Sequence, residues 1–364
     1  MPKKVIISGG GTGGHIFPAV SIANALKRID PAIDILFVGA TGRMEMEKVP
    51  AAGYMIVGLD IQGFQRKQIW KNILLPVKII TSLWKARTII NNFKPDVAVG
   101  VGGYASGPLL YASGLMGIPY LIQEQNSYAG ITNKKLGKNA QKVCVAFEGM
   151  DKFFPGDKVL LTGNPIRRES VDIAGKREEA LKFFGLAEGK KTILLTGGSL
   201  GAGTLNNSIL KGLEKLIQED VQLIWQTGKH YYKAILQKTG KTLNPNICIT
   251  EFLNRMDLAY AAADVIISRA GAGTIAELCV IGKPVILVPS PNVAEDHQTK
   301  NAAALVKNNA AILVSDMDAP AKLVEAALQL LKNEQQAIEF GSNISKMALP
   351  NADDVIAREV LKLA

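Results

Sequence analysis

Cysteine, aromatic side chains and long apolar runs are all scarce in this sequence, and each shortage removes a class of protein. Among 364 residues there are three cysteines, Cys144, Cys248 and Cys279. They lie far apart, form no Cys-x-x-Cys pair and have no histidine beside them. They read as reduced core residues of a cytosolic protein, not as a disulfide frame or a metal site. No run of about 18 apolar residues occurs, so no segment reads as a membrane span. Met1-Pro2-Lys3-Lys4 leads straight into an apolar strand pattern, which reads as the absence of a secretory signal. A net charge of +10 asks for an acidic partner: nucleic acid, anionic lipid or a phosphorylated substrate. Aromatic residues make up 6% of the chain and no nucleic-acid motif is visible, which counts against the first. Metal-ligand clusters are missing from the pattern too. The sole Asp-x-Asp, Asp316-Met317-Asp318, lies between a strand pattern (311–314) and a helix starting near Ala319, and reads as turn and N-cap.

Glycine, by contrast, is abundant. Lys3-Lys4-Val5-Ile6-Ile7-Ser8 feeds the five-glycine loop Gly9-Gly10-Gly11-Thr12-Gly13-Gly14-His15, and the apolar, Ala-rich segment 16–26 follows. That is strand, loop, helix. Glycines there let backbone N–H groups approach a ligand, and the helix start adds about half a positive charge aimed at the loop. Such an end suits a phosphate or pyrophosphate. The spacing also satisfies a dinucleotide fingerprint, but the second strand pattern (34–39) ends in Gly39-Ala40-Thr41-Gly42. No acid stands there to hold a ribose, which argues against a dehydrogenase.

A length of 364 residues predicts two domains, and internal echoes support this. Segment 190–201 echoes 3–14, segment 264–274 echoes 96–104, and segment 282–289 echoes 117–124. Three echoes in one order predict an α/β chain with two similarly built parallel-sheet domains. The expected division is 1–163 and 164–350, with a last helix (about 351–364) packing back on the first domain. Ligands of open α/β sheets sit beyond the carboxyl ends of the strands. The loop 9–15, Gly102-Gly103-Tyr104 and Glu124-Gln125-Asn126 all fall at such ends.

Residues 61–87 break this rhythm. The run 68–85 is apolar and cationic with no acid, and Arg66, Lys67 and Arg87 flank it. Trp70, Ile73, Leu74 and Leu75 among lysines suit a membrane-surface patch, with apolar groups in the headgroup region and cations on anionic lipid.

Taken together, GGGTGGHIFPA (9–19), GVGGYASGP (100–108), EQN (124–126), GNPIR (163–167), GGSLGA (197–202), RAGAGTIAE (269–277) and DHQ followed by NA (296–302) resemble the MurG family of bacterial glycosyltransferases over essentially the whole chain. The resemblance implies the GT-B architecture, two Rossmann-like domains facing across a cleft. It implies transfer of N-acetylglucosamine, with inversion, from UDP-GlcNAc to the MurNAc 4-hydroxyl of lipid I, the undecaprenyl-pyrophosphoryl-MurNAc-pentapeptide. The product is lipid II, the peptidoglycan precursor. It further implies a peripheral protein at the cytoplasmic face of the bacterial plasma membrane, with UDP-GlcNAc, lipid I and an anionic membrane surface as partners and no nucleic acid.

For individual residues the resemblance implies the following. Ser199 contacts the donor phosphates, the backbone at Leu253 reads the uracil edge, and Ala272, Gly273 and Thr274 hold the rest of the nucleotide. Glu277 accepts from the ribose hydroxyls, Gln298 meets the sugar, and Arg167 near the hinge also touches the donor. A slip of one residue would give the sugar contact to His297. Thr12, Gly13 and Gly14 form an anion site for either the donor or the lipid I pyrophosphate, with Asn126 a further donor contact or, like Glu124, a group orienting the acceptor or serving as base. Gly103 and Tyr104 line the acceptor site. His15, at a helix start that disfavours its charged form, would be neutral and able to accept a proton near pH 7. His15 or Glu124 is the catalytic base. No cofactor or metal is expected, because helix ends and arginines can carry the leaving group's charge. The competing expectations are a UDP-GlcNAc 2-epimerase, a related glycolipid glycosyltransferase, and a nucleotide-sugar binder without turnover.

Overall fold

The structure, a computed structural model, describes residues 2–63, 75–198, 200–240 and 244–364. The chain divides into two compact units, Met1–Ile166 with Leu349–Ala364, and Arg167–Ala348.

In the first unit, seven strands form one sheet in which every pair runs parallel: β1 (Lys4–Gly9), β2 (Asp34–Ala40), β3 (Met55–Leu59), β4 (Val97–Gly102), β5 (Tyr120–Glu124), β6 (Lys142–Val145) and β7 (Val159–Leu161). Their spatial order is 3-2-1-4-5-6-7. Val5, Ile6 and Ile7 of β1 and Val97, Ala98 and Val99 of β4 are completely buried. Helices covering both faces of a parallel sheet explain why these strands read as continuous apolar runs with no alternation. The order reverses between β1 and β4, and the glycine loop leaves β1 at that point. This is where open α/β sheets form their crevice.

The second unit repeats the plan with six parallel strands: β8 (Thr192–Thr196), β9 (Gln222–Gln226), β10 (Ile247–Thr250), β11 (Val265–Ser268), β12 (Val285–Leu287) and β13 (Ile312–Leu313). The order is 10-9-8-11-12-13, with the reversal at β8 and β11. The sequence echoes correspond to the same strands of the two plans, β1 with β8, β4 with β11 and β5 with β12.

Asn164 lies within the first unit, three residues before the division. Its side chain accepts from Gln123 Nε2 at 2.9 Å and donates to the Gln125 carbonyl at 3.0 Å. Gly163 stands in the left-handed region (φ 84°), where an added Cβ would come within 2.6 Å of Leu349 Cβ. The segment leaving the first unit and the segment re-entering it are therefore packed side by side.

The helix Ala352–Leu363 closes the first unit against the helix Gly13–Ile29. Ile356, Ala357 and Val360 join Ile22, Ala23 and Leu26 in one buried cluster. Arg28 bridges Asp353 at 2.6 Å and Asp354 at 2.8 Å, and Lys3 Nζ donates to the Leu361 and Ala364 carbonyls. Arg28 stays about half-exposed while Asp353 is buried, so these pairs are partly screened and apolar packing carries most of this closure. Replacing the fully buried Ile356 with Ala should cost about 2–5 kcal/mol in denaturant unfolding. A loss below about 0.5 kcal/mol, typical of a surface site, would show that the terminal helix is not part of the core.

Candidate active site

The first glycine loop is built by backbone packed on backbone. Gly10 N–H donates to the Gly102 carbonyl at 3.3 Å. Gly102 and Gly103 both have left-handed backbones (φ 99° and 90°), and a Cβ on Gly103 would overlap the Gly10 carbonyl. The sequence needs glycine there for conformation and for space. A Cβ on Gly102 would stand 2.7 Å from His15 Cδ2 and 2.9 Å from Nε2, so the Cδ2–Nε2 edge of the imidazole lies against this turn. His15 Nδ1 is 3.0 Å from the Gly10 carbonyl and 3.3 Å from Thr12 Oγ1. A carbonyl can only accept, so this contact puts the proton on Nδ1 and leaves the acceptor lone pair of the neutral ring on Nε2. The helix Gly13–Ile29 starts with no acid in its first turn, and Thr12 gives it no side-chain cap. Tyr104 is half-exposed and its ring lies against Gly11 and Gly63. Thr12, Gly13, Gly14, His15, Gly103 and Tyr104 thus belong to one surface at the carboxyl ends of β1 and β4.

Glu124 ends β5 and is buried, with its carboxylate fully engaged. Asn126 N–H and Nδ2 donate to Oε1 at 3.1 and 3.4 Å, and Gly130 N–H and Asn133 Nδ2 donate to Oε2 at 3.1 and 2.8 Å. Burial raises its pKa, while these four donors pull the other way. The geometry is that of a latch folding the 126–133 segment back onto the strand end.

In the second unit, Ser199 lies outside the described residues. Its neighbours show a similar backbone contact with a different partner. Gly198 and Gly201 are left-handed (φ 80° and 77°), and Gly201 packs on the 227–228 backbone so closely that a Cβ on Gly201 would overlap the Thr227 carbonyl and one on Gly228 the Gly201 backbone. Gln226 Nε2 donates to the Gly198 carbonyl at 2.8 Å, and Thr196 Oγ1 donates to Gln226 Oε1 at 2.6 Å. Thr227 and Gly228 N–H donate to the Thr250 and Glu251 carbonyls, which leads the chain into the buried Leu253.

Ala272, Gly273 and Thr274 begin the helix Ala272–Ile281, with Gly271 as N-cap and no acid in the first turn. On its second turn Glu277 Oε2 accepts from Tyr260 Oη at 3.1 Å, and Oε1 lies 3.8 Å from Arg167 Nη2. Burial raises the Glu277 pKa, with Arg167 and Tyr260 opposing it. Gln298, on the helix His297–Lys307, accepts from Ser290 N–H at 2.8 Å through its amide oxygen. Ser290 follows a loop clamped by Arg269, which donates to the Val288 and Pro289 carbonyls, both at 3.0 Å, and pairs with Asp316 at 2.5 Å.

Asp316 also accepts from Thr204 Oγ1, while the Asp318 side chain bonds Ser315 and does not cap the helix Ala319–Lys332. The Asp-x-Asp is therefore a turn tie, with Asp318 at the N-cap position but not capping. His230 is exposed and His297 half-buried. Sequence reasoning missed Glu45 and Tyr260. Tyr260 sits in Leu258-Ala259-Tyr260-Ala261-Ala262 and reads simply as core. Arg269 was legible only as part of a motif.

Two family models match the chain: the glycosyltransferase family 28 N-terminal domain over residues 5–145 and its C-terminal domain over residues 192–356. Together they span most of the sequence. The chain belongs to glycosyltransferase family 28. A protein of Bacteroides fragilis, 57% identical over 99% of this chain and 96% of its own, is named UDP-N-acetylglucosamine–N-acetylmuramyl-(pentapeptide) pyrophosphoryl-undecaprenol N-acetylglucosamine transferase. A Cytophaga hutchinsonii protein of the same name is 54% identical over 100% of this chain and 97% of its own. The crystal structure of Acinetobacter baumannii MurG superposes with a TM-score of 0.80 at 30% identity, covering 99% of this chain and 100% of that one. The two parallel-sheet units are those of the GT-B fold. A Neisseria meningitidis UDP-GlcNAc 2-epimerase shares that fold at 16% identity and a TM-score of 0.66, over the full length of both chains.

In this family 28 chain the Tyr260 hydroxyl is one of the groups that lower the Glu277 pKa against the rise caused by burial. Tyr260→Phe should therefore raise the Glu277 pKa further, as read by carboxyl carbon NMR titration. An unchanged or lowered value would contradict the hydrogen bond described here.

Proposed function

We propose that this chain transfers N-acetylglucosamine from UDP-GlcNAc to the MurNAc 4-hydroxyl of lipid I, inverting the anomeric carbon and giving lipid II. The observation that carries this reading is the full-length identity of 54–57% to proteins named for that transfer. The epimerase alternative is not favoured, since its likeness is confined to the fold.

The chemistry follows from the residues. The acceptor hydroxyl loses its proton to Nε2 of His15, whose tautomer the Gly10 carbonyl supports. The oxygen attacks the anomeric carbon while its bond to the diphosphate oxygen breaks, and UDP leaves with the electron pair. We assign the base to His15 because every lone-pair direction of Glu124 already faces a donor. Charge on the leaving UDP is met by the helix start after the loop 197–202, with no metal in the scheme. Glu277 accepts from the ribose hydroxyls, Arg167 stands beside it, and the Leu253 backbone meets the uracil. Gln298 turns its amide nitrogen to the sugar, since its oxygen is held by Ser290. Thr12, Gly13 and Gly14 take the pyrophosphate of the acceptor, and Gly103, Tyr104 and Asn126 flank it.

Membrane docking at the cytoplasmic face belongs to the same proposal. Trp70, Ile73 and Leu74 lie outside the described residues. Leu75 opens the helix Leu75–Phe93, whose outer face exposes Val77, Ile80 and Trp84 (the last 70% exposed) at spacings that share one side. Lys78, Lys85 and Arg87 accompany them. Among the described residues no helix is long and apolar enough to cross a membrane.

The test is transfer from radiolabelled UDP-GlcNAc to a lipid I analogue. His15→Ala should cut kcat about 10²–10⁴-fold with UDP affinity retained, and a chelator should leave the wild-type rate unchanged. Absence of transfer by the wild-type chain sinks the reading. UDP affinity should also fall with decreasing pH as Glu277 gains a proton, starting at higher pH than an ordinary carboxylate would, because its pKa is raised. Glu277→Gln should bind more weakly and lose this pH dependence, and an equally steep profile in that variant would remove Glu277 from the site. Ile80→Glu with Trp84→Glu should weaken sedimentation with anionic vesicles, and unchanged sedimentation would exclude this face.

A further inference from the structure

Outside the residues assigned above, one acid is buried against the first glycine loop. Glu45 opens the helix Glu45–Ala51 and is 1% exposed. Its Oε2 accepts from Gly11 N–H at 2.9 Å and its Oε1 from Ala40 N–H, at the end of β2, at 3.0 Å. Two glycines make room for it. A Cβ on Gly10 would overlap the carboxylate, and one on Gly39 would stand 2.6 Å from Glu45 Cγ. Among the described residues no lysine or arginine pairs with it. A buried anion held by backbone N–H groups is costly, and an apolar side chain could fill the same space. The carboxylate is therefore there for what it does to the loop.

We propose that Glu45 is a positioning residue for the transfer reaction, a proposal that rests on the function proposed above. It occupies the Gly11 N–H, which in a glycine turn of this kind would otherwise face a phosphate. It also ties Gly11, at φ 84°, to the end of β2. The anion consequently meets the loop further along, at residues 12–14, beside His15. The acid absent from the end of the second strand reaches the loop from the start of the following helix. There it acts as an internal substitute for a bound phosphate, steering the loop away from dinucleotides.

The experiment is full kinetics of Glu45→Gln and Glu45→Asp in the complete chain, with UDP-GlcNAc and a lipid I analogue, normalised to sites counted by UDP titration. Gln keeps the volume but turns a donor toward a backbone N–H, and Asp keeps the charge but is too short to span both partners. Both should lower kcat/KM for the acceptor about ten- to a hundredfold through loop misplacement. KM for UDP-GlcNAc and Kd for UDP should stay within about twofold. Wild-type acceptor kinetics, or equal losses toward donor and acceptor, overturn the proposal. So does failure of both variants to fold, which makes Glu45 purely structural. A wild-type chain that transfers nothing overturns the functional reading itself, and the proposal with it.

Discussion

Backbone packed directly on backbone at the carboxyl ends of the central strands is the constraint on which the rest depends. In the first unit the turn after β1 rests on the turn after β4, Gly10 against Gly103. In the second unit the turn after β8 rests on the turn after β9, Gly201 against Gly228. No side chain fits at either contact. The same strand order thus carries two loops braced from different neighbours. Only in the first does the brace also shelf an imidazole, because Gly102 leaves space for His15. That difference is the physical basis for assigning the two loops different jobs.

Around this constraint the polar residues divide into those that fix the backbone and those that the proposed function turns to a ligand. Glu124 spends its carboxylate on four donors, and Arg269 spends its guanidinium on two carbonyls and Asp316. Lys283 likewise donates to the carbonyls of Tyr260, Ala261 and Ala263, and burial lowers its pKa to about 8. Each has a charge that a sequence reading assigns to chemistry by default, and each is turned inward. Glu277 and His15 are different. One holds a partly exposed carboxylate beside an arginine, and the other presents its acceptor nitrogen at a helix start.

Much of this was legible in the residues. Continuous apolar runs ending in glycine gave the strands and their loops, and three echoes in one order gave the two similar sheets. The candidate site residues came from motifs, because ligand-facing loops need unusual residues at fixed spacing. The inward ties were not legible. Glu45 follows Gly42-Arg43-Met44 in an unremarkable charged helix, and only folding brings it to Gly11. Tyr260 is indistinguishable from core until its hydroxyl meets Glu277. The destination of a side chain across 30 residues depends on register and on glycine vacancies elsewhere, and these are properties of the packed sheet.

In the proposed function the two loops are specialised, the second for the nucleotide and the first for the acceptor's anion. Backbone amide shifts of the isotopically labelled protein, titrated with UDP alone, test it most directly. Saturating shifts are predicted for residues 198–201, 253 and 272–277, while residues 9–15 stay in place. Shifts in residues 9–15 that saturate with the same Kd and comparable size would contradict the division of labour.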